Sequence, residues 1–162
     1  MKTFPDFQKG KAQILIDFWK KLEVVSHLSF SAKTNSNEMY GWNRYGEGTV
    51  AVIKNGNLLI FNETGTCQGE EGSEVNFTNV YRWTLDLAGG RVGLEHLRQG
   101  ANYPVFLFDL IPSSNCTLSP LDPHLCKKDA YFGKIDFDST AICLNWRVIG
   151  PRKNEEMNYY YK

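Results

Sequence analysis

Titratable side chains gather in the last third of the chain. His124 and Cys126 are two residues apart, so on an extended segment they point to the same side. An imidazole beside a thiol can activate a nucleophile, or the pair can offer two ligands to zinc. A zinc site needs three or four ligands, and only His96, Cys143 and Asp129 could complete it. We therefore predict no metal and no other cofactor, and we favour a histidine that bonds loop backbone beside a cysteine in an apolar niche.

A carboxylate and a phenol follow in the next apolar run. Asp129 and Tyr131 share the parity of Ile135, so they face the core if the isoleucine does. A buried carboxylate needs a cationic partner. Three arginines could supply it: Arg82, Arg147 and Arg152. The aspartate could close the structure with a salt bridge or could bind a ligand, and both interpretations stay open.

A rigid turn, Gly150-Pro151-Arg152-Lys153, separates the last two apolar runs. Glycine permits positive φ and proline fixes its own φ, so the turn can aim both cationic side chains. Arg152 and Lys153 could clamp a carboxylate or phosphate, could be held by internal partners, or could be solvated.

Two tryptophans occupy apolar positions of long alternating runs. Such positions usually belong to a core, but in a barrel they can line a cavity. The candidate ligand-binding residues are Trp83, Tyr131, Trp146, Arg82, Arg147, Arg152 and Lys153. The candidate catalytic residues are His124, Cys126 and Asp129.

One helix and a series of short strands must position these residues. Helical spacing of apolar side chains predicts an N-terminal helix over residues 6–21. The period then changes to two, which predicts about eight or nine strands. Asn55-Gly56 marks the clearest hairpin, and a polar segment from Pro112 to Pro123 predicts a long loop.

Sequential hairpins without crossover helices predict an antiparallel meander that closes to bury its edges. We therefore predict a single all-β domain, an up-and-down closed β-barrel over residues 22–162 with the helix at its N-terminus. A barrel of about eight strands encloses either one small ligand or packed side chains.

Composition excludes several classes of function. The 18 basic residues balance the 18 acidic ones, so we expect no nucleic-acid partner. No apolar stretch approaches the roughly twenty residues of a spanning helix, so we expect no membrane insertion. The N-terminus lacks an apolar signal-peptide core and the four cysteines are widely spaced, which indicates a cytoplasmic protein with reduced thiols. Three glycosylation sequons, at Asn62, Asn76 and Asn115, are then without meaning.

The chain also carries spaced motifs, the most specific of them in its C-terminal third, that resemble those of an uncharacterised lipocalin-like, calycin-type family of unknown function. The motifs are Glu47-Gly48-Thr49, Tyr81-Arg82-Trp83, His124-Leu125-Cys126, Asp129-x-Tyr131-x-Gly133, Trp146-x-Val148 and Gly150-Pro151-Arg152-Lys153. The likeness covers most of the chain from about residue 22. The chain has Asn154-Glu155 where the family continues with Asp-Tyr, and its segment 101–123 is longer. The resemblance implies a closed β-barrel and implies no substrate.

Three functions remain open. The first is a binding module that holds a small hydrophobic or amphipathic, possibly acidic, molecule against Trp83, Tyr131 and Trp146, with an arginine at its acidic end. The second is an enzyme that uses His124, Cys126 and Asp129, although no common hydrolase or nucleotide-binding motif is present. The third is a protein-interaction module. We favour the first, and we favour a protein that is not an enzyme.

Overall fold

The computed structural model describes residues 9–34, 43–69, 72–121, 124–126 and 128–162, with the side chains of residues 43 and 124–126 excepted. These residues form one helix and eleven strands. The helix α1 spans Lys11–Glu23. The strands are β1 (His27–Thr34), β2 (Asn43–Asn55), β3 (Leu58–Gln68), β4 (Glu74–Asp86), β5 (Arg91–His96), β6 (Val105–Ser114), β7 (Thr117–Pro120), β8 (His124–Cys126), β9 (Asp129–Phe137), β10 (Ile142–Ile149) and β11 (Asn154–Tyr161).

The sheet closes on itself through antiparallel pairs. Neighbours run from β10 through β11 and β1 to β7, then to β9, and β9 also pairs with β10. β7 and β8 both pair with β9, with Leu118 opposite Ile135 and His124 opposite Tyr131, so together they fill one position. The structure is therefore a closed, lipocalin-like barrel of ten positions, which confirms the predicted fold class.

The predicted count of eight or nine strands is wrong, and so is the long loop between Pro112 and Pro123. β6 continues through Pro112 to Ser114, and β7 returns after a two-residue turn. The prolines conceal this hairpin in the sequence because they donate no ladder hydrogen bond. Here Pro112 lies beside a register shift in the β6–β7 pair, and Leu118 is fully buried opposite β9.

The predicted N-terminal helix is confirmed and caps one end of the barrel. It begins at Lys11 and ends at Glu23, while residues 6–8 of the predicted range lie outside the described part. Its apolar side is buried, and the Phe18 ring lies 5.3 Å from Phe137 and 6.0 Å from Trp83. We call the end that α1 covers the capped end and the opposite end the far end. No helix among the described residues is long and apolar enough to cross a membrane.

The inner wall changes in character between the two ends. Directly opposed residues of antiparallel strands share a face. One such row crosses the wall towards the far end and consists of Gly133, Trp146, Met157, Ala32 and Arg44. The Phe108 ring lies over Gly133, where an added Cβ would come within 2.9 Å of Phe108 Cζ. Glycine there lets a large aromatic side chain fill the interior.

Candidate functional site

Four polar side chains meet inside the barrel, and we call them the carboxyl–tyrosine cluster: Glu63, Tyr81, Tyr159 and Tyr161. The Tyr161 hydroxyl donates a 2.6 Å hydrogen bond to Glu63 Oε2. The hydroxyls of Tyr81 and Tyr159 are 3.4 Å apart, and the rings of Tyr159 and Tyr161 stack with centroids 6.0 Å apart. Three strands, β3, β4 and β11, thus bring ionisable groups to one point of the interior.

Glu63 is the buried acid of this cluster, with 1% of its surface exposed. Burial raises its pKa from 4.5 to about 7, although the hydrogen bond from Tyr161 opposes the rise. Burial also raises the pKa of Tyr161 well above its usual range. The carboxyl is therefore about half protonated near neutral pH and can donate as well as accept a hydrogen bond.

A small cavity borders the cluster. Its walls include Tyr81, Trp83, Phe108, Trp146, Tyr159 and Tyr161. Its volume is about 10 Å³, which is room for roughly one water molecule. Only a water-sized group therefore fits in the space beside the two indoles.

Both tryptophans that line this cavity have a buried indole nitrogen without a hydrogen-bond partner in the described residues. Trp83 Nε1 and Trp146 Nε1 are buried and make no hydrogen bond within the part of the chain that the structure describes. An unsatisfied buried donor costs about 1–3 kcal/mol. Two such donors beside one cavity form a site that favours a hydrogen-bond acceptor.

The inner wall beyond this cavity carries a cation and a phenol. Arg44 lies opposite Ala32 in the row of Trp146, so its side chain belongs to the inner face. Tyr131 is half-buried and packs against the core, nearer the far end. A ligand with one end at the two indoles and its other end towards the far end would therefore pass the side chain of Arg44.

The arginines predicted to anchor a ligand lie elsewhere. Arg82 is on the outer face and forms a 3.0 Å ion pair with Glu95. Arg147 is exposed on the outer face, where its charge helps to lower the pKa of Glu156. Arg152 is exposed in the turn after β10. The structure brings none of the three to the inner wall, and the arginine that it places there is Arg44.

Asp129 and Lys153 meet at the rim of the far end. The Asp129 carboxylate packs against Gly150, where any Cβ would collide with it, and Lys153 Nζ lies 4.0 Å from its Oδ2. Both side chains are partly exposed, so the pair contributes at most about 1 kcal/mol. This geometry therefore favours the salt-bridge interpretation, in which the pair stabilises the turn, and not the anion clamp.

The register pairs Cys126 with Asp129 and His124 with Tyr131, so the backbone brings these four positions together. The side chains of His124 and Cys126 lie outside the described residues, and their catalytic role stays a prediction. Among the described residues no group of three or more histidine, cysteine, aspartate or glutamate side chains could hold a metal. The described cysteines, Cys67, Cys116 and Cys143, are free thiols.

Sequence reasoning missed the carboxyl–tyrosine cluster and Arg44. Alternation carried part of the signal, since Glu63 has the parity of the buried residues Leu59 and Phe61. Arg44 could have been found only by extending β2 back past Gly46, whose buried position sets the inward parity.

The closed antiparallel barrel and its capping helix define the class of protein: an all-β, lipocalin-like barrel. The chain belongs to the family of unknown function DUF6314, whose model matches residues 26–162. No curated protein matches the sequence. Among solved structures, the chain is similar to an S-type phycobiliprotein lyase of Guillardia theta, with 8% identity, coverage of 97% of this chain and 96% of that chain, and a TM-score of 0.47.

Proposed function

We propose that this barrel binds a small amphipathic molecule with an acidic or carbonyl end. One oxygen atom of that end lies in the cavity between Trp83 and Trp146, and the apolar body extends towards the far end. The two buried indole N–H groups without a partner at one cavity are the observation that carries the proposal. An acceptor atom placed there recovers the free energy that the unpaired donors cost.

The direction of entry follows from packing. Phe18 and its neighbours on α1 fill the capped end and are fully buried. The cavity admits only a water-sized group, so the rest of a ligand must lie on the other side, along the row that contains Met157 and Arg44. Met157 in this row adapts its shape easily and therefore suits an apolar chain.

The probes that test this proposal are decanoate, decylamine and biliverdin, titrated by isothermal calorimetry and confirmed by native mass spectrometry. We expect decanoate or biliverdin to bind and decylamine, whose ammonium cannot accept a hydrogen bond, to bind at least tenfold more weakly.

Trp146→Phe keeps the aromatic ring and removes the N–H, so we expect on the order of tenfold weaker binding. Trp19→Phe is the matched control, since Trp19 is a buried tryptophan of α1 outside the cavity. Failure of all three probes to bind, or equal losses of affinity in the two variants, would refute the proposal. One ordered water would then be the hydrogen-bond acceptor for the indole N–H groups.

A further inference from the structure

A large concavity lies on the outer face of the barrel. Its volume is about 840 Å³. Its floor and walls come from outward-facing positions of β11, β1 and β2, and it extends to β10 and β3 at its sides. We call it the outer groove and define it by Ser29, Ser31, Tyr45, Glu47, Asn158 and Tyr160. The barrel wall separates it from the interior cavity.

The register explains why this face is concave. The small side chains of Ser29 and Ser31 on β1 form the floor. Ser29 lies between Tyr160 and Glu47, and Ser31 lies between Asn158 and Tyr45. Larger side chains therefore rise on both sides of two serines. Walls two strand spacings apart leave a channel about 10 Å wide between backbones.

Two aromatic rings stand at diagonal corners of the floor. Tyr45 is 61% exposed and Tyr160 is 40% exposed. Two strand spacings and two residues of rise separate their Cα atoms by about 12 Å. Exposed rings offer flat apolar faces with a polar tip. Their separation requires a ligand with more than one ring.

The polar groups between the rings are held in place by one another. Asn145 Nδ2 donates a 2.6 Å hydrogen bond to Asn158 Oδ1 and a 3.0 Å hydrogen bond to Glu156 Oε1. This chain fixes the orientation of the amide of Asn158 in the wall. Pre-oriented amides beside serine hydroxyls can both donate to and accept from a ligand's hydroxyl groups.

Some of the carboxylates around the groove have cationic partners and others do not. Lys134 pairs with Asp136 at 3.5 Å, and Lys33 pairs with Glu156 at 3.6 Å. Lys162 Nζ lies 5.4 Å from the centre of the Tyr160 ring. Glu47 and Glu74, which also line the groove, have no ion pair among the described residues, so the groove can accept hydrogen bonds from hydroxyl groups. A neutral ligand rich in hydroxyl groups fits it best.

We propose that the outer groove is a second binding site, for a neutral oligosaccharide of two or more sugar rings. The apolar faces of two rings stack on Tyr45 and Tyr160, while Asn158, Glu47 and the two serines bind the hydroxyl groups between them. This site is independent of the proposed interior site and can be occupied together with it.

The test uses three neutral trisaccharides, maltotriose, cellotriose and N,N′,N″-triacetylchitotriose, observed by saturation-transfer NMR and calorimetry with the whole protein. We expect at least one to bind. Tyr45→Ala and Tyr160→Ala should each weaken it about tenfold, as loss of aromatic stacking requires. Tyr103→Ala, which removes an exposed tyrosine outside the groove, should leave it unchanged.

Ser31→Leu fills the floor of the outer groove, keeps both tyrosine rings and should abolish saccharide binding. It tests the same site if a tyrosine variant fails to fold. Trp146→Phe should leave saccharide binding unchanged. Failure of the outer-groove proposal can therefore be distinguished from failure of the interior-site proposal. Absence of binding by all three trisaccharides at millimolar concentration, or tighter binding of pentalysine than of any saccharide, would overturn the proposal.

Discussion

The capped end and the middle of the barrel interior differ in the polarity of the side chains that they bury. At the capped end, the rings of Phe18 and Phe137 lie 5.3 Å apart, and both side chains are buried. In the middle, the same barrel buries a carboxyl group at Glu63 and leaves the indole nitrogen of Trp146 without a partner in the described residues. Apolar packing stabilises the fold, whereas unpaired buried polar groups destabilise it. The comparison supports the proposal that the middle of the barrel binds a ligand.

The largest expected change in stability comes from a substitution at the capped end. Phe18→Ala should lower the free energy of unfolding by about 3–5 kcal/mol, because it opens a cavity between α1 and the barrel. Urea unfolding measures this loss. Tyr103→Ala, which truncates a side chain that is 70% exposed, should change stability by less than about 0.5 kcal/mol. Similar small effects in both variants would show that α1 does not cap the core.

The second effect concerns the middle of the interior and depends on pH. The pKa of Glu63 is about 7 in the folded protein instead of 4.5, so folding retains a proton between these values and stability falls as pH rises through them. The full loss corresponds to about 3 kcal/mol. Glu63→Gln should remove this loss and be more stable than the parent protein at pH 8.

Urea unfolding at pH 5, 6, 7 and 8 checks that expectation. The other groups that face Glu63 are Asn79, which does not titrate, and the tyrosines of the cluster, whose pKa values are raised above the usual 10. His96 acts in the opposite direction, since burial lowers its pKa and stability is lost only as pH falls. Equal pH slopes for the variant and the parent would contradict the account.

The smallest expected effect lies at the rim of the far end. Asp129→Asn weakens the contact with Lys153, which is long and partly exposed, so stability should fall by at most about 1 kcal/mol. Affinity for decanoate should stay unchanged. Lys54→Ala, which removes another exposed ion pair, to Glu23, is the control. A large loss of decanoate affinity in Asp129→Asn, and not in Lys54→Ala, would show that decanoate binds at the rim and not in the middle of the barrel.

Alternation along single strands made much of the fold predictable. It placed Trp83 and Trp146 on one face, and the same parity puts their neighbours Arg82 and Arg147 on the other. An arginine next to an inward tryptophan must face outward, so a stricter use of parity would have removed both from the ligand-binding candidates. The parity of Leu59 and Phe61 would likewise have pointed to Glu63.

The rest depends on how distant strands meet when the barrel closes. Tyr161 and Glu63 are 98 residues apart, and Tyr81 and Tyr159 are 78 apart. No local pattern specifies that these side chains converge. The outer groove depends in the same way on the register that sets Ser29 between Tyr160 and Glu47. Closure registers are long-range properties, set by the whole sheet.

The most direct test of the proposed interior site is the NMR signal of the indole Nε1–H groups during titration with decanoate. The account predicts that the resonances of Trp83 and Trp146 move downfield together as their protons gain an acceptor, while that of Trp19, under α1, stays in place. Binding of decanoate that leaves both resonances unchanged, or that shifts Trp19 equally, would contradict it.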